Sequence, residues 1–163
     1  MTKLQTEILN ALSEDSRLTA ERLAGITGEK TVVVAQAIEG LERAGVIVKY
    51  NTVINTEKTD KETVEALIEV RVSPEHNRGF DSIAEELYLF SEVRSLYLMS
   101  GGYDLAVFVE GRTLKEVAMF VSEKLSTIDK VLSTATHFIL KKYKFEGVLM
   151  EPGDERKRLA VHV

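Results

Sequence analysis

From Thr2 to Gly45 the apolar residues recur at intervals of three and four rather than two, which predicts helices and no strand. Leu4, Ile8, Leu9 and Leu12 gather on one stripe of a first helix, and the polar break Ser13-Glu14-Asp15-Ser16 ends it. Thr19 is placed to cap a short second helix, about Ala20 to Ile26, with Leu23, Ala24 and Ile26 facing inward. Gly28 then turns the chain. A third helix, about Thr31 to Ala44, aligns Val34, Ile38 and Leu41 on one face, and Gly45 stands where a left-handed C-cap residue belongs.

The period then changes. Val46 to Ile54 is β-rich, and the stretch Asn55 to Thr63 (NTEKTDKET) is almost wholly polar and reads as a linker. Val64, Ala66, Ile68, Val70 and Val72 alternate with charged residues, as a half-buried strand does. Phe80, Ile83, Ala84 and Leu87 return to helical spacing, and Val93 to Met99 and Leu105 to Val109 have strand composition. Thr113 and Glu116 make a capping-box pair before the helical stripe Leu114, Val117, Ala118, Val121 and Leu125, and a last strand runs from Val131 to about Phe145. The order is β-α-β-β-α-β, two units of about 40 residues each, the pattern of a ferredoxin-like sandwich.

The predicted fold is therefore α+β, a winged helix-turn-helix over 1–50 with Val46-Ile47-Val48-Lys49-Tyr50 as its wing. A β-rich hinge and linker (51–63), a βαββαβ domain (64–150) and a polar tail (151–163) follow. Two helices cover only one sheet face. The other, with Tyr97, Met99 and Phe138 or their neighbours as candidates, needs a partner, and dimerisation through the sheet is the simplest solution.

Composition narrows the function. The 163 residues contain no cysteine, which excludes disulfides and thiolate metal sites and fits a reducing cytoplasm. No uncharged apolar run approaches the roughly 18 residues of a membrane span, so no membrane partner is expected. The three histidines, His76, His137 and His162, do not stand at metal-ligand spacing, and there is no G-x-G-x-x-G, Walker, H-E-x-x-H or G-x-S-x-G motif. A protein without enzymatic activity, metal or cofactor is expected. The net charge of −5 leaves room only for a local attraction to nucleic acid.

Two constellations carry the candidate chemistry. The first is the pair of helices about Gly28. Its wording, Ile8-Leu9-x-x-Leu12, Glu14-Asp15-Ser16-Arg17, Leu23-Ala24, Leu41-Glu42 and Gly45-Val46-Ile47-x-x-Tyr50, resembles the N-terminal domain of the leucine-responsive, or Lrp/AsnC, family of transcriptional regulators. The resemblance continues through the linker into the β-α-β-β-α-β half, which looks like the family's ligand-sensing RAM domain. It implies a sequence-specific, double-stranded-DNA-binding regulator that forms homodimers assembling to octamers and responds to an amino acid. The residues expected to meet DNA are Lys30, Thr31, Val32, Val33, Gln36 and Ala37. Gln36 suits adenine, Lys30 guanine, and the valines thymine methyl groups.

In one respect the head departs from the family pattern. The recognition helix of the family usually opens with Ser and carries several Arg or Lys, where this chain has Lys30, Gln36, Ala37, Glu39 and Gly40. Residues 1–50 hold six cations, Lys3, Arg17, Arg22, Lys30, Arg43 and Lys49, against seven carboxylates, Glu7, Glu14, Asp15, Glu21, Glu29, Glu39 and Glu42, a net of −1. Few phosphate contacts predict weak single-site binding with a shallow salt slope, offset when several heads engage one DNA. An alternative reading is an ACT-like metabolite-binding module whose helical head serves assembly rather than DNA.

The second constellation is Ser100-Gly101-Gly102-Tyr103-Asp104 between two strands, where consecutive glycines permit positive φ. Gly101 and Asp104 match the family's Gly-x-x-Asp turn, near which the resemblance places the small-molecule site, between dimers. The effector residues so implied are Met99, Ser100, Gly101, Gly102, Tyr103 and Asp104, with Thr134 and Thr136 on the last strand. Glycine N–H groups suit the amino acid's carboxylate and Asp104 its ammonium.

Overall fold

The computed structural model describes residues 1–74 and 79–151. The chain divides into two compact units, Met1–Ile54 and Asn55–Val163. The predicted tail beyond Glu151, with His162, and residues 75–78, with His76, lie outside the described residues.

The first unit holds three helices, α1 (Lys3–Glu14), α2 (Ala20–Thr27) and α3 (Thr31–Arg43). α1 opens on a capping box: Thr2 Oγ1 accepts the Gln5 N–H at 3.2 Å and Gln5 Oε1 accepts the Thr2 N–H at 2.8 Å. Thr19 caps α2 as predicted, accepting the Arg22 N–H. Gly28 ends that helix in the left-handed region, at φ 74°. α3 ends in a Schellman turn, with Val46 N–H donating to Leu41 C=O and Gly45 N–H to Glu42 C=O. Ile8, Leu12, Leu23, Ala24, Val34 and Leu41 form the core.

Two expectations for this unit are corrected. Ile26 is 60% exposed. Leu23 and Ala24 fix the inward direction of α2, and at 100° per residue Ile26 stands about 110° from it while half-buried Thr27 falls in line. The β-rich stretch Val46–Ile54 contains no strand. Strand-formers need a ladder partner, which an all-helical unit does not offer. The stretch is tied down instead by Ile47 packing on the core, by Tyr50 Oη donating to Glu42 Oε1 at 2.8 Å, and by Ser16 Oγ donating to Asn51 C=O.

The second unit contains β1 (Val64–Val72), α4 (Asp81–Leu87), β2 (Val93–Leu98), β3 (Leu105–Gly111), α5 (Leu114–Met119) and β4 (Val131–Phe138). All neighbouring strands are antiparallel, in the order β2-β3-β1-β4. This is the predicted βαββαβ sandwich. Ala66, Ile68 and Val70 of β1 and Leu105, Val107 and Val109 of β3 point to the helices, where Ile83, Leu87, Val117, Phe120 and Leu125 meet them.

Thr113 Oγ1 accepts the Glu116 N–H as expected, but the Glu116 carboxylate reaches the Arg112 N–H, one residue before the box position. The last strand is shorter than predicted. Its partner β1 begins at Val64, so pairing ends with Ile139 N–H on Glu65 C=O, and Lys144–Phe145 (β5) instead pairs with Val148–Leu149 (β6). Glu146 and Gly147, at φ 46° and 79°, make the two-residue turn between them.

Because opposed residues share a face, Tyr97, Ala106, Phe108, Leu67, Glu69 and His137 lie on the sheet face away from the helices. Tyr97 meets Phe108 edge-on at 6.0 Å. Of the candidates on β4 it is the neighbour His137 that lies there, because Phe138 opposes Ala66 and so belongs to the helix-bearing face.

Candidate functional site

α3 is held by Val34 and Leu41, 0% and 2% exposed, with Ile38 half-buried between them. Their stripe fixes the opposite face outward. Lys30, Thr31, Val32, Val33 and Gln36 are all exposed, Val32 to 66%. Ala37 is not on that surface: it follows Val34 by three residues and packs half-buried on the core.

The outward stripe includes two charged residues that sequence reasoning left out of the site, Glu39 and Arg43. Arg43 stands seven positions after Gln36, two turns on and so in line with it. The spacing that placed Val34 and Leu41 inward contains this signal. Lys30, Arg43 and Lys49 make no ion pair among the described residues, so their charge is available to a polyanion. Arg17 is engaged instead: its guanidinium binds both oxygens of Asp15, whose pKa falls to about 2, and is held there. On the flank, burial and the Glu42 carboxylate push Tyr50 up to about 12, which keeps its hydroxyl a donor.

In the second unit, the turn from Met99 to Asp104 closes the β2–β3 hairpin. Met99 N–H donates to Asp104 C=O at 2.8 Å, Asp104 N–H to Val70 C=O at 3.0 Å, and Asp104 Oδ2 accepts the Val72 N–H at 2.9 Å. One carboxylate oxygen of Asp104 is therefore engaged by the sheet, and Oδ1 keeps both of its lone pairs. Neither Gly101 nor Gly102 uses the positive φ that glycine permits. Both are exposed, and a Cβ at either position would meet nothing within 4 Å. Turn geometry within the chain does not demand glycine at either position.

Met99 and Ser100 are exposed, and Tyr103 is half-buried. Thr134 opposes Val70 and Thr136 opposes Ile68, both half-buried on the helix-bearing face. Thr134 thus shares the sheet end with Asp104, separated from it by buried Val70, whereas Thr136 lies one row further in. Among the described residues no group of three or more His, Asp or Glu is arranged to hold a metal ion. His137 instead faces Glu69 at 3.4 Å. No helix among the described residues is long and apolar enough to cross a membrane.

A helix-turn-helix with an exposed second helix, followed in the chain by a ferredoxin-like unit with a clasped glycine turn, defines a two-part architecture. The Lrp/AsnC ligand binding domain matches residues 65–149. Over 162 residues, 99% of this chain and 98% of the other, the sequence is 48% identical to the uncharacterized HTH-type transcriptional regulator YugG of Bacillus subtilis. It is 31% identical to the HTH-type transcriptional regulator LrpA of Pyrococcus abyssi, covering 84% of this chain and 94% of that one. The chain belongs to the Lrp/AsnC family. Its fold is shared with the transcriptional regulator NMB0573 of Neisseria meningitidis, solved in complex with L-Met, at TM-score 0.72 and 22% identity over 89% of this chain and 93% of that one.

Proposed function

We propose that this chain is a sequence-specific DNA-binding transcriptional regulator, acting in the cytoplasm, whose second unit binds an amino acid. The observation that carries the DNA half is the outward stripe of α3, where Val32, Val33 and Gln36 are exposed while Val34 and Leu41 anchor the helix. Gln36 reads adenine, the valines touch thymine methyl groups, Glu39 accepts from a cytosine amino group, and Lys30 and Arg43 supply guanine or phosphate contacts. Thr31, beside Lys30 at the helix start, adds a hydroxyl for phosphate.

Gly101 and Gly102 give N–H donors to the effector's carboxylate, and the second oxygen of Asp104 takes its ammonium. Met99, Ser100 and Tyr103 surround it, and Thr134 and Thr136, across β1 on β4, complete the proposed set. Support for an amino acid comes from the L-Met bound by the similarly folded Neisseria protein. Dimers form through the open sheet face, where Leu67, Tyr97 and Phe108 are the apolar contacts, and assemble further, to octamers, so that weakly charged heads act together.

The test is a gel shift on the DNA upstream of the chain's own gene, with and without an amino-acid mixture, alongside calorimetry with single amino acids. A retarded band that the mixture alters supports both halves. The −1 charge of the head favours one second reading, a metabolite-binding module whose head serves assembly, and a chain that binds amino acids but no DNA at low salt belongs to that reading.

A further inference from the structure

A cavity of about 340 Å³ lies beside α5, at the far end of the β2–β3 hairpin from the glycine turn. Its volume is that of a small-molecule site. Val117, Met119 and Phe120 give it an apolar floor, and Glu92, Glu123 and Lys124 stand at its rim. The helix departs from α geometry there: after Met119 it continues as a π-helical turn over Phe120–Lys124. Such turns are rare and recur at functional sites.

The turn sets Phe120 and Lys124 together on the cavity wall. Phe90 meets Phe120 edge-to-face, with centroids 5.5 Å apart and an interplanar angle of 81°. The Lys124 ammonium lies 5.7 Å from the Phe90 centroid and 6.0 Å from that of Phe120. It also donates to Glu92 Oε1 at 2.5 Å. Two aromatic rings and a carboxylate around one ammonium are the components of a site for organic cations.

We propose that this cavity binds a small organic cation with an apolar tail, and that Lys124 fills the cation position when the ligand is absent. The tail lies on Val117, Met119 and Phe120, and the ligand's ammonium takes the place of the Lys124 Nζ beside Glu92. The Lys124 side chain is 45% exposed, so water receives its charge when it swings out. Glu123 makes no ion pair among the described residues and adds uncompensated negative charge to the rim. Of the carboxylates lining the cavity, Glu92 pairs with Lys124, Glu110 with Lys61 and Arg94, and Glu116 with Arg112, which leaves Glu123 as the one without a cation among the described residues. The unpaired Glu123, and Glu92 once Lys124 swings out, favour a cationic ligand over an anionic one, which separates this site in chemistry from the glycine turn.

The test titrates the full chain with 2-phenylethylamine and with its neutral counterpart 2-phenylethanol, by calorimetry and by the NMR signals of the Phe90 and Phe120 rings. The amine is expected to bind the wild type more tightly than the alcohol does. Lys124→Met removes the tethered competitor and tightens amine binding by roughly fivefold or more. Glu92→Gln erases the advantage of the amine; if that variant melts early, the comparison of wild type with Lys124→Met decides alone. Absence of any amine-induced ring shift in the wild type, equal binding of amine and alcohol, or no gain in Lys124→Met would overturn the proposal.

Discussion

The Asp104 carboxylate accepts the Val72 amide N–H at 2.9 Å, fixing the β2–β3 turn to the end of β1. A charged acceptor on a half-buried amide is worth about 1.5 to 3 kcal/mol. Asp104→Ala leaves that N–H unpaired and is expected to lower the urea midpoint accordingly, whereas Asp104→Asn keeps an acceptor and most of the stability. If both variants lose binding of an amino acid, only the alanine variant with lost stability, then Asp104 has two separable roles.

Leu41 and Val32 sit on opposite faces of the same helix, 2% and 66% exposed. Leu41→Ala opens a void in a six-residue core and is expected to cost about 2 to 5 kcal/mol in chemical denaturation. Val32→Ala removes surface that is already wet and should stay within about 0.5 kcal/mol of the parent. Near-equal costs would mean that α3 is rotated from the orientation described.

Salt sensitivity distinguishes base reading from phosphate clamping. With Lys30, Arg43 and Lys49 as unpaired cations on or flanking α3, few counterions should be released and the slope of log K against log salt is expected to be shallow, about −0.9 per phosphate engaged. Glu39→Lys should steepen the slope by roughly one such increment and raise affinity for unrelated sequences. Fluorescence anisotropy from low to moderate salt measures both.

The Asp15–Arg17 contact gives the head an acid-sensitive tie. The folded pKa of Asp15, about 2, lies below its ordinary 3.8, so the contact's contribution is present above 3.8 and disappears as pH falls through about 2. Asp15→Asn should therefore be slightly less stable than the parent at neutral pH, with the gap closing between those two values. Both groups are at the surface, so the gap is small and shrinks further in high salt. Thermal melts across that pH range provide the comparison.

The elements legible in the sequence were those with a strong period and a cap. Val34, Ile38 and Leu41 with Gly45 defined α3, and the alternation from Val64 to Val72 defined β1 together with its buried side. What failed was decided by partners beyond the local window. Val46–Ile54 has strand composition but no sister strand, and the strand from Val131 stops where β1 runs out, so neither end could be placed by propensity. Phe138 fell on the helix-bearing face because its neighbour Ala66 sets the register.

The site was legible to the same degree. Exposure of Val32, Val33 and Gln36 followed from helical phase, and the phase also contained Arg43 and the half-burial of Ala37. The clasp of Asp104 on Val72 links positions 32 apart in sequence, and no local spacing encodes it.

DNase protection of the upstream DNA by the wild type and by a Val33→Ala/Gln36→Ala variant tests the central claim most directly. The account predicts a defined footprint for the wild type and its loss in the variant, with an unchanged denaturation midpoint and unchanged binding of amino acids. A variant that protects the same bases at the same concentration would show that α3 does not read the DNA.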